Sequence, residues 1–117
     1  MNLRECYSAL EGNYENVVAR LRSERLVRKF VLKFLQDGSY DLLCRSLEER
    51  NLEEAFRAAH TLKGVCQNLD FTKLYESSSR LTDELRDDWG PEVETWFART
   101  SQDYRQTVEA IQNLDEA

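Results

Sequence analysis

The chain has 117 residues, of which 41% are hydrophobic and 32% are charged, a composition typical of one globular domain. Four glycines and one proline are too few for the tight turns of an all-β sandwich or barrel, so the composition favours an all-α fold. The formal net charge is −6, and the sixteen Lys and Arg residues look scattered, so we expect no basic face. Binding to nucleic acid or to a membrane is therefore not expected.

The sequence also indicates a compartment. No apolar run approaches the roughly 20 residues of a bilayer span, and the first six residues lack the apolar core of a signal peptide. Cys6, Cys44 and Cys66 have no C-x-x-C spacing, and three cysteines cannot pair completely. We therefore expect a cytoplasmic, monomeric protein with free thiols and no metal site.

The first 36 residues predict short helices that cover a larger helical core. One apolar stripe ends at Gly12, and a second short helix follows it up to about Leu21. Ser23 can cap a third helix that ends at Asp37. The apolar residues of this third helix recur at helical spacing and are all expected in the core: Val27, Phe30, Val31, Phe34 and Leu35.

Four long amphipathic segments make up the rest of the chain. Ser39 is expected to cap the first of them, Asn51 the second, and Pro91 to lie in the first turn of the last. The turns between them are short and polar, which predicts an antiparallel up-down four-helix bundle with additional short N-terminal helices. We expect one domain over 1–117, with the bundle at about 23–115 and the helical cover at about 1–36.

One group of residues has no evident role in such a bundle. Gly64 lies inside a strong helical pattern, where glycine costs about 1 kcal/mol relative to alanine. At 100° per residue, His60 and Gly64 point about 110° and 150° away from the centre of the apolar stripe, so both are expected to face outward. Gln67 shares this flank, and Lys63 lies close enough to reach an anion bound at His60.

These residues suit phosphoryl transfer. A neutral imidazole is a good nucleophile near pH 7, and an adjacent ammonium would neutralise a phosphoryl group on its ring. The sequence contains no P-loop, dinucleotide-binding or kinase motif. Groups that bind nucleotide or Mg²⁺ would therefore come from a partner, and we expect no cofactor on this chain.

The segment Ala59-His60-Thr61-Leu62-Lys63-Gly64 resembles the A-H-x-L-K-G signature of histidine-containing phosphotransfer (HPt) domains. The resemblance implies that His60 is phosphorylated, that Lys63 supports the phosphoryl group, and that Gly64 clears room for a receiver domain bearing the reactive aspartate. It implies a non-enzymatic carrier that exchanges phosphoryl groups with response-regulator receiver domains and with a hybrid histidine kinase.

The chain departs from the family pattern at two positions. Asp70 stands where the family commonly has glycine, ten residues after the histidine, and Asp can serve there as a turn residue. Thr82 stands where many members have a longer side chain that hydrogen-bonds the other histidine nitrogen. Thr82 is thus a candidate orienting residue for His60.

Two simpler interpretations remain open. His60 and Lys63 could be ordinary solvated residues, and Gly64 could allow close approach of a neighbouring helix. The chain would then be a helical adaptor that binds a signalling partner through the His60 face without chemistry.

Overall fold

The computed structural model describes residues 1–115, which form seven α-helices and one 3₁₀ turn and contain no β-strand. The all-α prediction is confirmed. Within these residues, no helix combines the length and hydropathy that crossing a bilayer requires. The helices, and the turn that follows the third of them, have these bounds: α1 Leu3–Ala9, α2 Tyr14–Leu21, α3 Glu24–Lys33, the 3₁₀ turn Phe34–Gln36, α4 Ser39–Glu48, α5 Leu52–Leu69, α6 Thr72–Glu84 and α7 Val93–Gln112.

Helices α4 to α7 form the predicted antiparallel four-helix bundle. Helix α5 packs against both α4 and α6, and α6 packs against α7. Tyr40 of α4 stacks on Tyr104 of α7 with 3.9 Å between ring centroids, and its hydroxyl donates a hydrogen bond to Ser101. These contacts join α4 to α7, so the bundle closes around its buried apolar side chains.

The ends of α5 lie where the sequence predicts them, whereas the starts of α4 and α7 differ from the prediction. The Asn51 side chain accepts a hydrogen bond from the Glu54 amide, and Asp70 ends the helix with a left-handed φ of 56°. Ser39 is not the cap of α4 but its first residue, because Asp37 accepts the hydrogen bond from the Ser39 amide. Pro91 precedes α7 and lies outside its first turn.

The N-terminal helices cover the C-terminal end of α5. The Tyr7 hydroxyl donates to the Leu69 carbonyl over 2.7 Å. A Cβ atom on Gly12 would lie 2.6 Å from the Asp70 carbonyl oxygen, so this close approach requires glycine. The Arg20 guanidinium donates to two carbonyls of the last turn and pairs with the Asp70 carboxylate at 2.9 Å. The last turn of α5 is thereby fixed.

The predicted burial of α3 is only partly correct. Val27, Val31 and Phe34 are buried as expected, but Phe30 and Leu35 are exposed. Helix α3 lies on the outside of the fold with limited contact to α5, so it buries a narrower stripe than its apolar pattern suggests.

The expectation of no basic face was wrong. Six of the sixteen cations lie between residues 20 and 33, with Glu24 as the only acid among them. Arg25, Arg28, Lys29 and Lys33 are spaced i, i+3, i+4 and i+8, which places them within an arc of about 140° on the side of α3 that faces away from its buried residues.

Candidate functional site

His60 lies in the middle of α5 on the face opposite the core. Its neighbours Ala59 and Leu62 are fully buried, whereas His60 itself is exposed, as predicted. The helix is fixed by the Asn51 cap at one end and by Arg20 at the other. The imidazole is therefore presented to solvent from a firmly held backbone.

Gly64 leaves open space one turn after His60. A Cβ atom built on Gly64 would meet no atom of the described structure within 4 Å, outside its own helix backbone and adjacent residues. The alternative in which Gly64 lets a neighbouring helix approach is thus wrong. The glycine clears space on the outer surface of the protein, beside the imidazole.

Lys63 is a cation without a counter-ion on the His60 flank. It is half-buried and forms no ion pair with any residue from 1 to 115. Arg57, the other nearby cation on α5, is paired with Glu53 at 3.2 Å and with Glu54 at 3.8 Å. Lys63 is therefore free of a carboxylate partner in the described structure, whereas Arg57 is not. Gln67 is exposed on the same flank.

Two residues near the site were missed from the sequence: Phe56, beside His60, and Arg86, beside Phe56. The Phe56 ring lies 6.0 Å from the imidazole, centroid to centroid, at an angle of 30°. The Arg86 guanidinium lies 5.4 Å from the centre of the Phe56 ring and pairs with Asp83 at 3.2 Å. The i, i+4 spacing of Phe56 and His60 could have revealed the first contact. The second depends on how α6 ends beside α5, which no local pattern shows.

Thr82 is placed away from the role suggested for it. Its side chain is fully buried, and its hydroxyl donates to the Ser78 carbonyl over 2.7 Å within α6. Within the described part of the chain, neither Thr82 nor any other residue hydrogen-bonds an imidazole nitrogen of His60. The tilted Phe56 ring is the aromatic neighbour of the imidazole in the described structure.

The arrangement provides a nucleophile, an unpaired cation and open space, but no other reactive group. No cluster of three His, Cys, Asp or Glu side chains between residues 1 and 115 could hold a metal ion. An exposed imidazole on a convex helix face can attack an electrophile only when another molecule brings it there.

A comparison with protein families agrees with this geometry. The family model described as Hpt domain matches residues 31–117, which is about three quarters of the chain and includes His60, Lys63 and Gly64. Searches of curated proteins and of solved structures returned no match.

Proposed function

The chain belongs to the Hpt domain family, whose members carry phosphoryl groups in two-component phosphorelays without a kinase activity of their own, and on that premise we propose that His60 is the phosphoryl acceptor. In this proposal a receiver-domain aspartate donates the group to His60, and a second receiver takes it away. The observation that carries it is the exposed imidazole beside the open space at Gly64.

The transfer step needs only one group from this chain. The unprotonated ring nitrogen of His60 attacks the phosphorus of the aspartyl phosphate, and an N–P bond forms as the P–O bond to the aspartate breaks. The aspartate leaves as a carboxylate, while the other ring nitrogen keeps its proton. The reverse reaction on a second receiver restores the free imidazole.

Lys63 supports this step by its charge. The transferring group carries its negative charge on three oxygens, and a flexible ammonium nearby stabilises that charge. Because Lys63 has no ion pair in the described structure, binding the phosphoryl group breaks no existing contact of this kind. Mg²⁺ and the reactive aspartate belong to the receiver partner.

Gly64 and Gln67 form the part of the site that a receiver would approach. Nucleophile and phosphorus must come within about 3 to 3.5 Å of each other in line, so a bulky side chain next to His60 would hold the two proteins apart. Hpt domains interact with receiver domains and histidine kinases. For this chain we propose a hybrid histidine kinase upstream and a monomeric, cytoplasmic carrier.

The decisive experiment uses labelled phosphate and a matched pair of variants. Receiver domains from the same genome are phosphorylated and mixed with the parent chain, His60→Gln or Arg105→Gln, the last a substitution at an exposed position on α7. We expect an acid-labile, alkali-stable label on the parent and on Arg105→Gln, and none on His60→Gln. Circular dichroism should show all three folded.

Two results would contradict the proposal. Label on His60→Gln would place the acceptor elsewhere. A parent chain that binds receivers yet gains no label from them, or from phosphoramidate, would be an adaptor instead.

A further inference from the structure

Helix α3 combines exposed apolar side chains with unpaired cations. In the part of the chain that the structure describes, the large hydrophobic residues that are exposed all lie on α3 or in the turn after it: Leu26 at 40%, Phe30 at 39%, Leu32 at 41% and Leu35 at 38%. The four cations of α3 form no ion pair with residues 1–115. A cluster of this kind marks an interaction surface.

A notch lies between α3 and the end of α5. Its volume is about 210 Å³, and Phe30, Lys33, Val65 and Asn68 contribute to its walls. Most of the lining is apolar, since Leu21, Phe34 and Leu69 also contribute to it, and Asp37 supplies a carboxylate. A concave apolar site of this size suits one protruding side chain of a partner protein.

The notch is continuous with the His60 flank. Val65 and Asn68 follow Gly64 on α5 by one and four residues. They lie about 7.5 and 12 Å from His60 along the helix axis at 1.5 Å per residue. A standard protein interface buries about 800 Å² on each partner, which corresponds to a footprint with a radius of roughly 16 Å. A protein seated over His60 therefore reaches the notch.

We propose that the edge of α3 formed by Leu26, Lys29, Phe30 and Lys33, called the α3 docking face, selects the receiver domain that exchanges phosphoryl groups with His60. An apolar side chain of the receiver enters the notch, and carboxylates beside it pair with Lys29 and Lys33. This inference rests on the proposed function, since it assigns the partner of the same site. The expected partner carries an apolar protrusion flanked by acidic residues.

The position of this face in the chain supports a role in selection. The Hpt family match begins at residue 31, so Leu26, Lys29 and Phe30 lie ahead of it. The residues of the reaction itself lie within the matched part. Chemistry thus comes from the shared domain, and the docking face comes largely from the N-terminal addition of this chain.

The arrangement favours a protein over a lipid surface. Leu26 and Phe30 lie on the α3 edge that faces the notch. Leu32 lies on the outward face between Arg25 and Arg28, and Leu35 lies in the turn after the helix. The apolar residues therefore form no continuous strip that could enter a bilayer. The chain outside residues 20–33 is strongly acidic, which an anionic membrane would repel.

The test compares matched variants at the notch edge of α3 and on its outward face, away from the notch. The donor is the receiver domain that labels the parent fastest in the panel described above. Phe30→Ser should slow transfer at least tenfold, and Leu32→Ser, equally exposed, less than twofold. Lys33→Glu should slow transfer about as much as Phe30→Ser. Arg105→Glu, the same change at an exposed position on α7, should leave the transfer rate unchanged. Raising the salt concentration should slow the parent more than Lys33→Glu.

A small donor separates this proposal from the proposed function. Phosphoramidate should label His60 in every variant at the parental rate, because it needs no docking face. Parental transfer rates from the receiver for both Phe30→Ser and Lys33→Glu would overturn the docking proposal alone, while a parent chain that accepts no phosphoryl group from either donor would overturn the function. Should Phe30→Ser fail to fold, Lys33→Glu decides the outcome.

Two other candidate occupants of the α3 docking face, a membrane and a second copy of this chain, predict different results. Binding to phosphatidylglycerol vesicles that Phe30→Ser abolishes, with receiver transfer unchanged, would assign the face to a membrane and overturn the proposal. A dimer in sedimentation velocity that Phe30→Ser dissociates, again with unchanged transfer, would assign it to a second copy and do the same.

Discussion

The two faces of α5 belong to the same eighteen-residue helix but differ in burial. Ala59, Leu62 and Cys66 on the inner face are fully buried, whereas His60 and Gly64 on the outer face are exposed. One helical register fixes both sets, because side chains three and four residues apart share a face. Stability and phosphoryl transfer should therefore be separable by substitution along this single helix.

The largest effect is expected on the inner face. Leu62→Ala removes a fully buried side chain and leaves a cavity, which should lower the free energy of unfolding by about 2 to 5 kcal/mol. Urea denaturation followed by circular dichroism measures this loss. The fraction that remains folded should still accept label from phosphoramidate. A loss below about 1 kcal/mol would show that the inner face is loosely packed and would contradict the expected difference between the two faces.

The outer face should behave in the opposite way at Gly64. Gly64→Ala should stabilise the helix by up to about 1 kcal/mol, because the added Cβ enters open space and alanine has the better helix propensity. Gly64→Gln should melt no lower than the parent yet accept phosphoryl groups from a receiver at least tenfold more slowly. Thermal denaturation and labelled-phosphate transfer measure the two quantities.

Gly38 offers the control for this prediction. A Cβ atom there also meets nothing within 4 Å, but Gly38 lies at the start of α4, away from His60 in the sequence. Gly38→Gln should leave the transfer rate unchanged. Equal slowing of Gly64→Gln with receiver and with phosphoramidate would mean that Gly64 serves something other than partner access.

The inner face could be predicted from the sequence because burial follows a repeating pattern. The spacing of apolar residues in α5, together with the Asn51 and Asp70 signals at its ends, fixes the helix and its register. Once the register is known, the outward direction of His60 and Gly64 follows as well. The exposed site was thus found as the part of a strong pattern that the core does not use.

Contacts between distant segments could not be predicted in this way. Arg86 approaches Phe56 only because α6 ends beside α5. Phe30 has the spacing of a core residue, yet α3 contacts the bundle along too narrow a strip to bury it. The shared face of the α3 cations, by contrast, follows from their spacing in the sequence. Periodicity within a helix gives the direction of its buried face but does not fix the width of the strip that neighbouring helices cover.

A smaller effect is expected at Lys63, on the flank between the two faces. Lys63→Ala removes a neutralising charge but leaves the nucleophile, so transfer from a receiver should slow severalfold while the free energy of unfolding changes by less than about 0.5 kcal/mol. Lys63→Arg should recover part of the rate. Rapid-quench transfer assays measure both variants, with Arg105→Ala as an exposed control. An unchanged rate for Lys63→Ala would place its ammonium away from the phosphoryl group.

The smallest signal is expected at Cys66, which lies two residues after Gly64 but on the inner face. Burial raises the pKa of the Cys66 thiol, and burial likewise raises the pKa of Cys6 to about 11. The thiolate is the reactive form, so iodoacetamide at pH 8 should leave both residues unmodified in the folded protein, while the less buried Cys44 reacts slowly. Mass spectrometry of the alkylated chain reads this directly, and all three should react in urea.

Because the folded pKa values lie above those of the unfolded chain, the stability contributed by these thiols is complete below about pH 8.5 and is lost as the pH rises further. Cys66→Ala should therefore reduce the fall in the free energy of unfolding between pH 9 and pH 11. Rapid alkylation of Cys66 in the native protein would contradict the alkylation prediction, because it would show that the inner face of α5 is readily exposed to solvent.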